Sequence, residues 1–597
     1  MNIRETIEQN GYIVAGGAMG SYCSLLKGAQ LEHVEELSLT DPETVRGVHR
    51  SYLEAGARLI NSNTFGANSY NMEMSRPELC GLIARAWELA AGEASGFGAF
   101  VAADIGPLPE MVEGREVTRE EALEEFHFLI DCFLQQGADI FNFETFSTTA
   151  FIGDLAAYIR SRNPSAFVMG SFSVSSSGTT LLGYPVQRIF RELEHDPNVD
   201  VVGLNCGTGP THLVENLAAA DFHGKWVSLV PNASYPELVD GKIVYSQNPE
   251  YFADYMLKAR DLGVRILGGC CGTTPDHIRL MASRLAGSRP EPVAGKPDGR
   301  PAGRILPEGQ VHPLEEKLSR GEFVVAVELP PPRTPDVEDT GKMAARIREA
   351  GADIITFSDS PLGRVRTNPI ALSARIQRDV GVETLPHLCC RDRNVIALKS
   401  DLMGAYIENL HNVLLVTGDP IPMGERGEIS SIFNLNSFKL IELVNNMNQD
   451  VFAPSPFFIG AALDLNGPRK DKAVARMQRK ASLGARFFMT QPIFDREVLE
   501  YLRREKLKER FTILAGIMPV VNLRNARFLH NEIPGISIPE EVFSRFREDM
   551  SREEAEETGV QLALETIREL KELVSGIYLI TPLNRVAMVE RIIREIR

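Results

Sequence analysis

The sequence predicts an α/β chain of two tandem (β/α)8 TIM barrels joined by a Pro/Gly-rich linker, on three observations. Its 597 residues are accounted for by two barrels of roughly 250 residues each. Between Ala286 and Val311 the chain is dense in Pro and Gly and has almost no periodic apolar pattern, which is linker chemistry. On either side, short β-rich runs alternate with amphipathic stretches without hairpin signals, as in a parallel sheet. Domains are therefore expected at 1–286 and 312–597, with 287–311 between them.

In the first half the β-rich runs are Tyr12–Ala15, Arg58–Ser62, Phe100–Asp104, Asp139–Phe143, Phe167–Phe172, Asp200–Leu204, Lys225–Leu229 and Val264–Leu267. In the second they are Phe323–Glu328, Asp353–Ser358, Glu383–Leu388, Asn412–Thr417, Phe457–Ala462, Arg486–Thr490, Thr512–Ile517 and Gly576–Thr581. Eight units per half favour closed barrels over open sheets. Apolar residues at helical spacing lie between several runs, as in Glu120–Gln136 and Asn248–Leu262. Active sites of such barrels sit at the carboxyl ends of the strands, so a polar or thiol residue just past a run is a candidate functional group.

Composition excludes several classes. With 44% hydrophobic and 24% charged residues the chain is ordinary globular protein. A net charge of −17 is a poor match for a phosphate backbone, so no nucleic-acid partner is expected. No apolar run approaches the roughly 20 residues of a membrane helix. The opening Met-Asn-Ile-Arg-Glu-Thr-Ile-Glu lacks the apolar core of a signal peptide, and a cytoplasmic location is expected. Eight cysteines in so long a chain are not a disulfide framework. Reduced thiols are expected, with Cys23, Cys80 and Cys132 as small buried hydrophobes.

Three other thiols stand at strand ends: Cys206 in Leu-Asn-Cys-Gly, and Cys270 and Cys271 in Gly-Gly-Cys-Cys-Gly-Thr-Thr-Pro. Strands six and eight are close around a barrel rim, and three thiolates with one vacant position suit Zn²⁺ holding an exchangeable ligand. A thiol substrate in that position would be deprotonated and nucleophilic. With Gly-Gly-Ala-Met-Gly-Ser (16–21), Asn-Thr-Phe (63–65), Asp-Ile-Gly-Pro (104–107) and Glu-Thr-Phe (144–146), these motifs make the first half resemble the zinc-dependent homocysteine S-methyltransferases. The resemblance implies Zn²⁺ on Cys206, Cys270 and Cys271, homocysteine sulfur in the open position, and Glu144 on the substrate ammonium. One position departs from the family: an acid usually opens the first motif, where this chain has Gly16.

In the second half, strand one ends Val-Val-Ala-Val-Glu-Leu-Pro, leaving Glu328 as a lone carboxyl among apolar residues at the rim. Burial there would raise its pKa and keep a proton available for general acid catalysis. His387, Asp419 and Gln491 follow strands three, four and six. Cys389 and Cys390 lack a third thiol in this half and are expected to be packing residues. The motifs Glu-Leu-Pro-Pro (328–331), Pro-His-Leu (386–388), Gly-Asp (418–419), Arg-Lys-x-x-x-Gly-Ala (479–485), Thr-Gln-Pro-Ile-Phe-Asp (490–495) and Leu-Asn-Arg (583–585) resemble methylenetetrahydrofolate reductase, a flavin-dependent barrel. The resemblance implies FAD held by Thr356, His387, Asp419 and Lys480, and folate contacts from Gln491, Asp419 and Arg585. It makes Glu328 the acid that opens the methylene folate ring. The electron donor implied is NAD(P)H; a partner flavoprotein or ferredoxin is the alternative, because Thr417 replaces a family arginine and two family aromatics are absent.

Together the halves suggest a fused methyl-supply enzyme and a homo-oligomer. Its substrates would be homocysteine and methylenetetrahydrofolate. Methylfolate, S-methylmethionine and S-adenosylmethionine remain open as methyl donors, methylfolate with a separate cobalamin protein as partner. The alternative function is a folate reductase whose zinc barrel is a docking or sensing module.

Overall fold

The computed structural model describes residues 2–109, 111–112, 115–222, 224–239, 242–286, 312–421, 431–533 and 535–597. The expected linker, 287–311, lies outside the described residues. The chain divides into two compact units, Met1–Arg300 and Pro301–Arg597.

In the first unit eight strands form the sheet: β1 (Ile13–Val14), β2 (Leu59–Asn61), β3 (Phe100–Ile105), β4 (Ile140–Phe146), β5 (Phe167–Phe172), β6 (Val201–Asn205), β7 (Trp226–Val230) and β8 (Ile266–Leu267). All neighbours are parallel, in the order β1-β8-β7-β6-β5-β4-β3-β2. The ring closes between β1 and β2, where Ala15 pairs with Leu59 and the Gly16 amide donates to the Leu59 carbonyl at 2.8 Å. Ile13, Leu59, Ala102, Ile140, Phe167, Met169, Val201 and Ile266 fill the interior with apolar volume. Because side chains alternate along a strand, the inward positions two residues further on are Asn61, Asp104, Asn142, Ser171, Gly203 and Ser228. The barrel is thus oily below and polar above.

The second unit closes β9 (Val324–Glu328), β10 (Ile354–Phe357), β11 (Glu383–Cys389), β12 (Asn412–Val416), β13 (Phe458–Leu463), β14 (Phe487–Pro492), β15 (Thr512–Ile517) and β16 (Gly576–Ile580) in chain order. Its interior holds Val324, Ala326, Ile354, Leu385, Leu414, Phe458, Phe487, Met489, Leu514 and Tyr578, with Leu314 of the helix Pro313–Ser319 packed against them. The same alternation carries Glu328, Thr356 and His387 inward at the carboxyl end, while in β14 the register shifts between Met489 and Pro492 and leaves Gln491 exposed.

Two expectations need correction. Cys80 and Cys132 are not separate thiols: they are joined in a disulfide with their Cα atoms 5.6 Å apart. The cause is tertiary, since the helices Arg76–Ser95 and Arg119–Gln135 lie against one another and bring the two residues together. Cys23, by contrast, is a buried free thiol as expected. The parallel pattern is also interrupted by two antiparallel ribbons in strand-to-helix connections, Met111–Val112 with Arg115–Glu116 and Pro236–Val239 with Lys242–Tyr245. The second flanks Asp240-Gly241, a dipeptide that favours hairpins and that the reading of runs passed over.

Both tryptophans, Trp87 and Trp226, belong to the first barrel, so indole emission reports on that unit alone. Expressed as 1–286, the first half should retain a cooperative urea transition by Trp emission, with a midpoint close to that in the full chain. A transition that is lost or strongly shifted would show that the barrel depends on residues beyond 286.

Candidate active sites

The carboxyl rim of the first barrel encloses a cavity of about 380 Å³ lined by residues from most of its strands, among them Asn61, Asp104, Glu144, Asn205, Cys206 and the Cys270–Cys271 pair. The Sγ atoms of Cys206, Cys270 and Cys271 all lie within 4.8 Å of one another, and those of Cys206 and Cys271 are 3.9 Å apart. Tetrahedral coordination with Zn–S near 2.3 Å places sulfurs about 3.8 Å apart, so this donor set fits the ion. Thiol–thiol hydrogen bonds from Cys206 and Cys270 pull Cys271 down to about 3. The same crowding, hydrogen bonding to Cys206 and Cys271 first and burial next, pushes Cys270 up.

Local backbone makes the convergence possible. Cys206 has φ of 52°, a left-handed conformation that costs a non-glycine residue about 1–2 kcal/mol. Thr145, beside Glu144, has φ of 65°. Asn205 offsets the second cost by accepting the Thr145 amide proton at 3.0 Å and donating to its hydroxyl at 2.7 Å. At Gly272, φ is 78° and a Cβ would stand 2.3 Å from Cγ of Tyr245, so only glycine lets the ribbon pack over the thiols.

Glu144 accepts from Asn61 at 2.8 Å, Asn205 at 3.1 Å and Asn142 at 3.3 Å, and the Cys270 thiol lies 3.8 Å from its Oε1. Beside it stands Asp104, only 6% exposed. Burial, followed by the charge of Glu144, pushes the Asp104 carboxyl far up; burial raises Glu144 as well. In the sequence Asp104 stands only as the first residue of Asp-Ile-Gly-Pro. Its inward register at the end of β3 was the signal available.

In the second barrel Glu328 and Thr356 are register partners across β9 and β10. The Thr356 hydroxyl lies 2.6 Å from Nε2 of His387. Burial pushes His387 down to about 3, so the ring is neutral near pH 7. Burial also pushes Glu328 up to about 7, opposed by a hydrogen bond with Ser358. Lys480 is 8% exposed, donates to the Ala462 carbonyl at 2.8 Å, and is lowered to about 8 by burial and then by Arg476. Arg476, Arg479 and Lys480 gather over the Phe438 ring at 4.9, 4.5 and 5.7 Å from its centroid. A cation cluster of this kind fits the diphosphate of FAD. Asp419 sits exposed at the rim, its Oδ2 accepting the Leu362 amide proton at 2.7 Å, and Gln491 is exposed there too. Arg585 lies past β16 and is paired with Glu556 at 3.4 Å. Cys389 and Cys390 are fully buried, and burial drives both thiols up to about 12.

Sequence reasoning missed the charged network beneath these groups. Arg391 is 1% exposed and donates to the carbonyls of Ser360 and Asp419 at 3.2 and 3.1 Å, tying two rim loops together. Arg393 is paired with buried Asp359 at 2.6 Å.

One barrel thus carries three thiols at its rim, and the other a buried carboxyl, an imidazole and a cation cluster. Residues 13–285 match the family model for homocysteine S-methyltransferase, and residues 313–597 match that for methylenetetrahydrofolate reductase. The chain therefore carries a homocysteine S-methyltransferase domain and a methylenetetrahydrofolate reductase domain in tandem. It is 32% identical to methionine synthase of Mycobacterium leprae (strain TN) over 318 residues, 48% of this chain and 25% of that protein. It is 31% identical to methionine synthase of Mycobacterium tuberculosis (strain ATCC 25618 / H37Rv) over 275 residues, 43% of this chain and 23% of that one. The chain thus spans about a quarter of the length of these relatives. Among solved structures it is similar to the homocysteine methyltransferase MmuM of Escherichia coli in oxidized and metallated forms. Each is 22% identical, covers 47% of this chain and 99% of its own, and has a TM-score of 0.39. No helix among the described residues is long and apolar enough to cross a membrane.

A raised Glu328 makes stability depend on pH. Its folded value of about 7 lies above the unfolded value near 4.3. Stability is therefore complete below about pH 4.3 and falls as pH rises toward 7. Glu328→Gln should match wild type near pH 4.5 and exceed it by about 1–3 kcal/mol at pH 8.5 in urea denaturation of the second barrel. Equal stability at both pH values would show that the carboxylate is not penalised by burial.

Proposed function

We propose that the chain is a bifunctional methyl-supply enzyme. The second barrel reduces 5,10-methylenetetrahydrofolate to 5-methyltetrahydrofolate, and the first transfers a methyl group to homocysteine, giving methionine. The observation that carries the reading is the convergence of Cys206, Cys270 and Cys271 on tetrahedral spacing at a catalytic rim, in a chain whose other half belongs to a folate reductase family.

In the first barrel these three cysteines would hold Zn²⁺, which when bound supplies a Lewis acid that keeps a substrate thiol deprotonated at neutral pH. Glu144, fixed by the amides of Asn61, Asn142 and Asn205, orients the amino end of homocysteine. In the second barrel Thr356, His387, Asp419 and Lys480 would hold FAD, whose chemistry when bound is hydride transfer. Gln491, Asp419 and Arg585 position the folate. Glu328 keeps its proton near neutral pH and delivers it to the folate nitrogen as the carbon–nitrogen bond opens.

Replacing Cys271 by Ala should remove most bound zinc and abolish homocysteine methylation while folate reduction persists, read by metal analysis and separate assays of the two reactions. Full zinc retention would sink the assignment. Glu328→Gln keeps shape but has no acidic proton. It should bind FAD normally and lose methylenetetrahydrofolate turnover by about 10²–10⁴-fold in single-turnover experiments. Near-normal turnover would mean that the proton comes from elsewhere.

A further inference from the structure

Among the described residues, the cavity of the first barrel is lined by the carboxyls of Glu35, Asp104 and Glu144 and by no lysine or arginine. His49, which also lines it, is buried and neutral. Both oxygens of Glu144 already accept side-chain amide protons, Oε2 from Asn61 and Asn142 and Oε1 from Asn205. Asp104 is different: its Oδ1 is buried and has no hydrogen-bond partner among the described residues. A buried carboxyl oxygen left without a hydrogen-bond partner is costly unless a ligand supplies the donor, and a cation beside the pair would offset the burial and the Glu144 charge that hold a proton on Asp104. A primary ammonium supplies both. The thiol of Cys270 lies 3.8 Å from the far side of the same pair, at Glu144 Oε1. A ligand that bridges the two features carries sulfur and nitrogen a few carbons apart.

We propose that Asp104 is a specificity-determining residue that, with Glu144, seats the ammonium of an aminothiol whose sulfur lies at the three-cysteine cluster. This assignment rests on the homocysteine reading above and adds the residue that decides between an aminothiol and a plain thiol. It also accounts for Gly16. The strand-one position where related sequences carry an acid has no side chain here, and the charge enters the cavity from β3 instead. Space does not forbid an acid at 16. A Cβ there would meet nothing closer than Ile60 Cγ2 at 3.5 Å, and the backbone is not in the left-handed region.

The test uses the full chain loaded with zinc and measures binding by calorimetry for L-homocysteine and for 4-mercaptobutyrate, which keeps the thiol and carboxylate and lacks the amine. Wild type should bind homocysteine more tightly by about tenfold or more. Asp104→Asn should lose that preference, with homocysteine weakened about tenfold or more and 4-mercaptobutyrate nearly unchanged, at wild-type zinc content and Trp emission. Asp104→Ser is measured alongside, as a smaller polar replacement, in case the amide disturbs folding. Gly16→Asp added to Asp104→Asn should restore part of the preference. Equal weakening of both thiols by Asp104→Asn and Asp104→Ser, or of neither, overturns the proposal while leaving the homocysteine reading intact. Zinc-loaded wild type that binds neither thiol overturns that reading and the proposal with it.

Discussion

Closure of eight parallel strands is the constraint on which each half of this protein depends. In the first barrel the ring is completed by very little: two-residue strands at β1 and β8, and the bonds from the Gly16 amide to Leu59 and from the Arg58 amide to Val14. Once it is closed, every second side chain points inward and stacks in layers. The lower layers can be apolar because each is covered by the next. The last layer has nothing above it but solvent or ligand, and there the sequence changes character: Ala102 gives way to Asp104, Ile140 to Asn142 and Glu144, Ile354 to Thr356, and Leu385 to His387. Chemistry is concentrated at one rim because that is where inward-pointing groups are no longer required to be oily.

Burial at that rim sets the charge state of the groups it holds. Glu328 is raised because apolar neighbours deprive its carboxylate of water. His387 is held neutral for the same reason, and its proton partner is a hydroxyl rather than an acid. Desolvation thus moves the acid toward a proton-holding form and the base toward a proton-free form in one small space. Asp104 and Glu144 show the other limit, two buried carboxyls of which Glu144 holds the charge more readily and disfavours ionisation of Asp104. Among the described residues the donors to Glu144 are three amides and a thiol, so the pair is poised for a cation from outside.

The loops that carry these groups are held by buried charge rather than by apolar packing. Arg391 binds carbonyls from two separate loops, and Arg393 clamps Asp359 beneath them. Lysine could not replace Arg391, since Nη1 reaches both carbonyls while Nε and Nη2 hold the Asp392 carboxylate, and a single ammonium cannot occupy both places. The left-handed backbone at Thr145 is held instead by a neutral amide, the side chain of Asn205.

The strand count, the parallel order and the position of the rim were all legible in the chain, because β-rich runs separated by helical periodicity allow few topologies. So was the placing of the strand-end thiols on one rim, since Cys206 and the Cys270–Cys271 pair each follow an obvious run. The antiparallel ribbon after β7 was legible too, in Asp240-Gly241, and was overshadowed by the parallel pattern around it. What the sequence could not supply was distance. Cys80 and Cys132 look like ordinary helix residues until two helices pack and bring their Cα atoms to 5.6 Å. Arg391 and Arg393 read as solvated charges until the loops fold over them. Asp104 reads as a motif residue until its strand places it beside Glu144. Local order is written in the alternation of residue types along the chain. Which side chains meet across strands, and how much water they lose there, is decided only when the barrel closes.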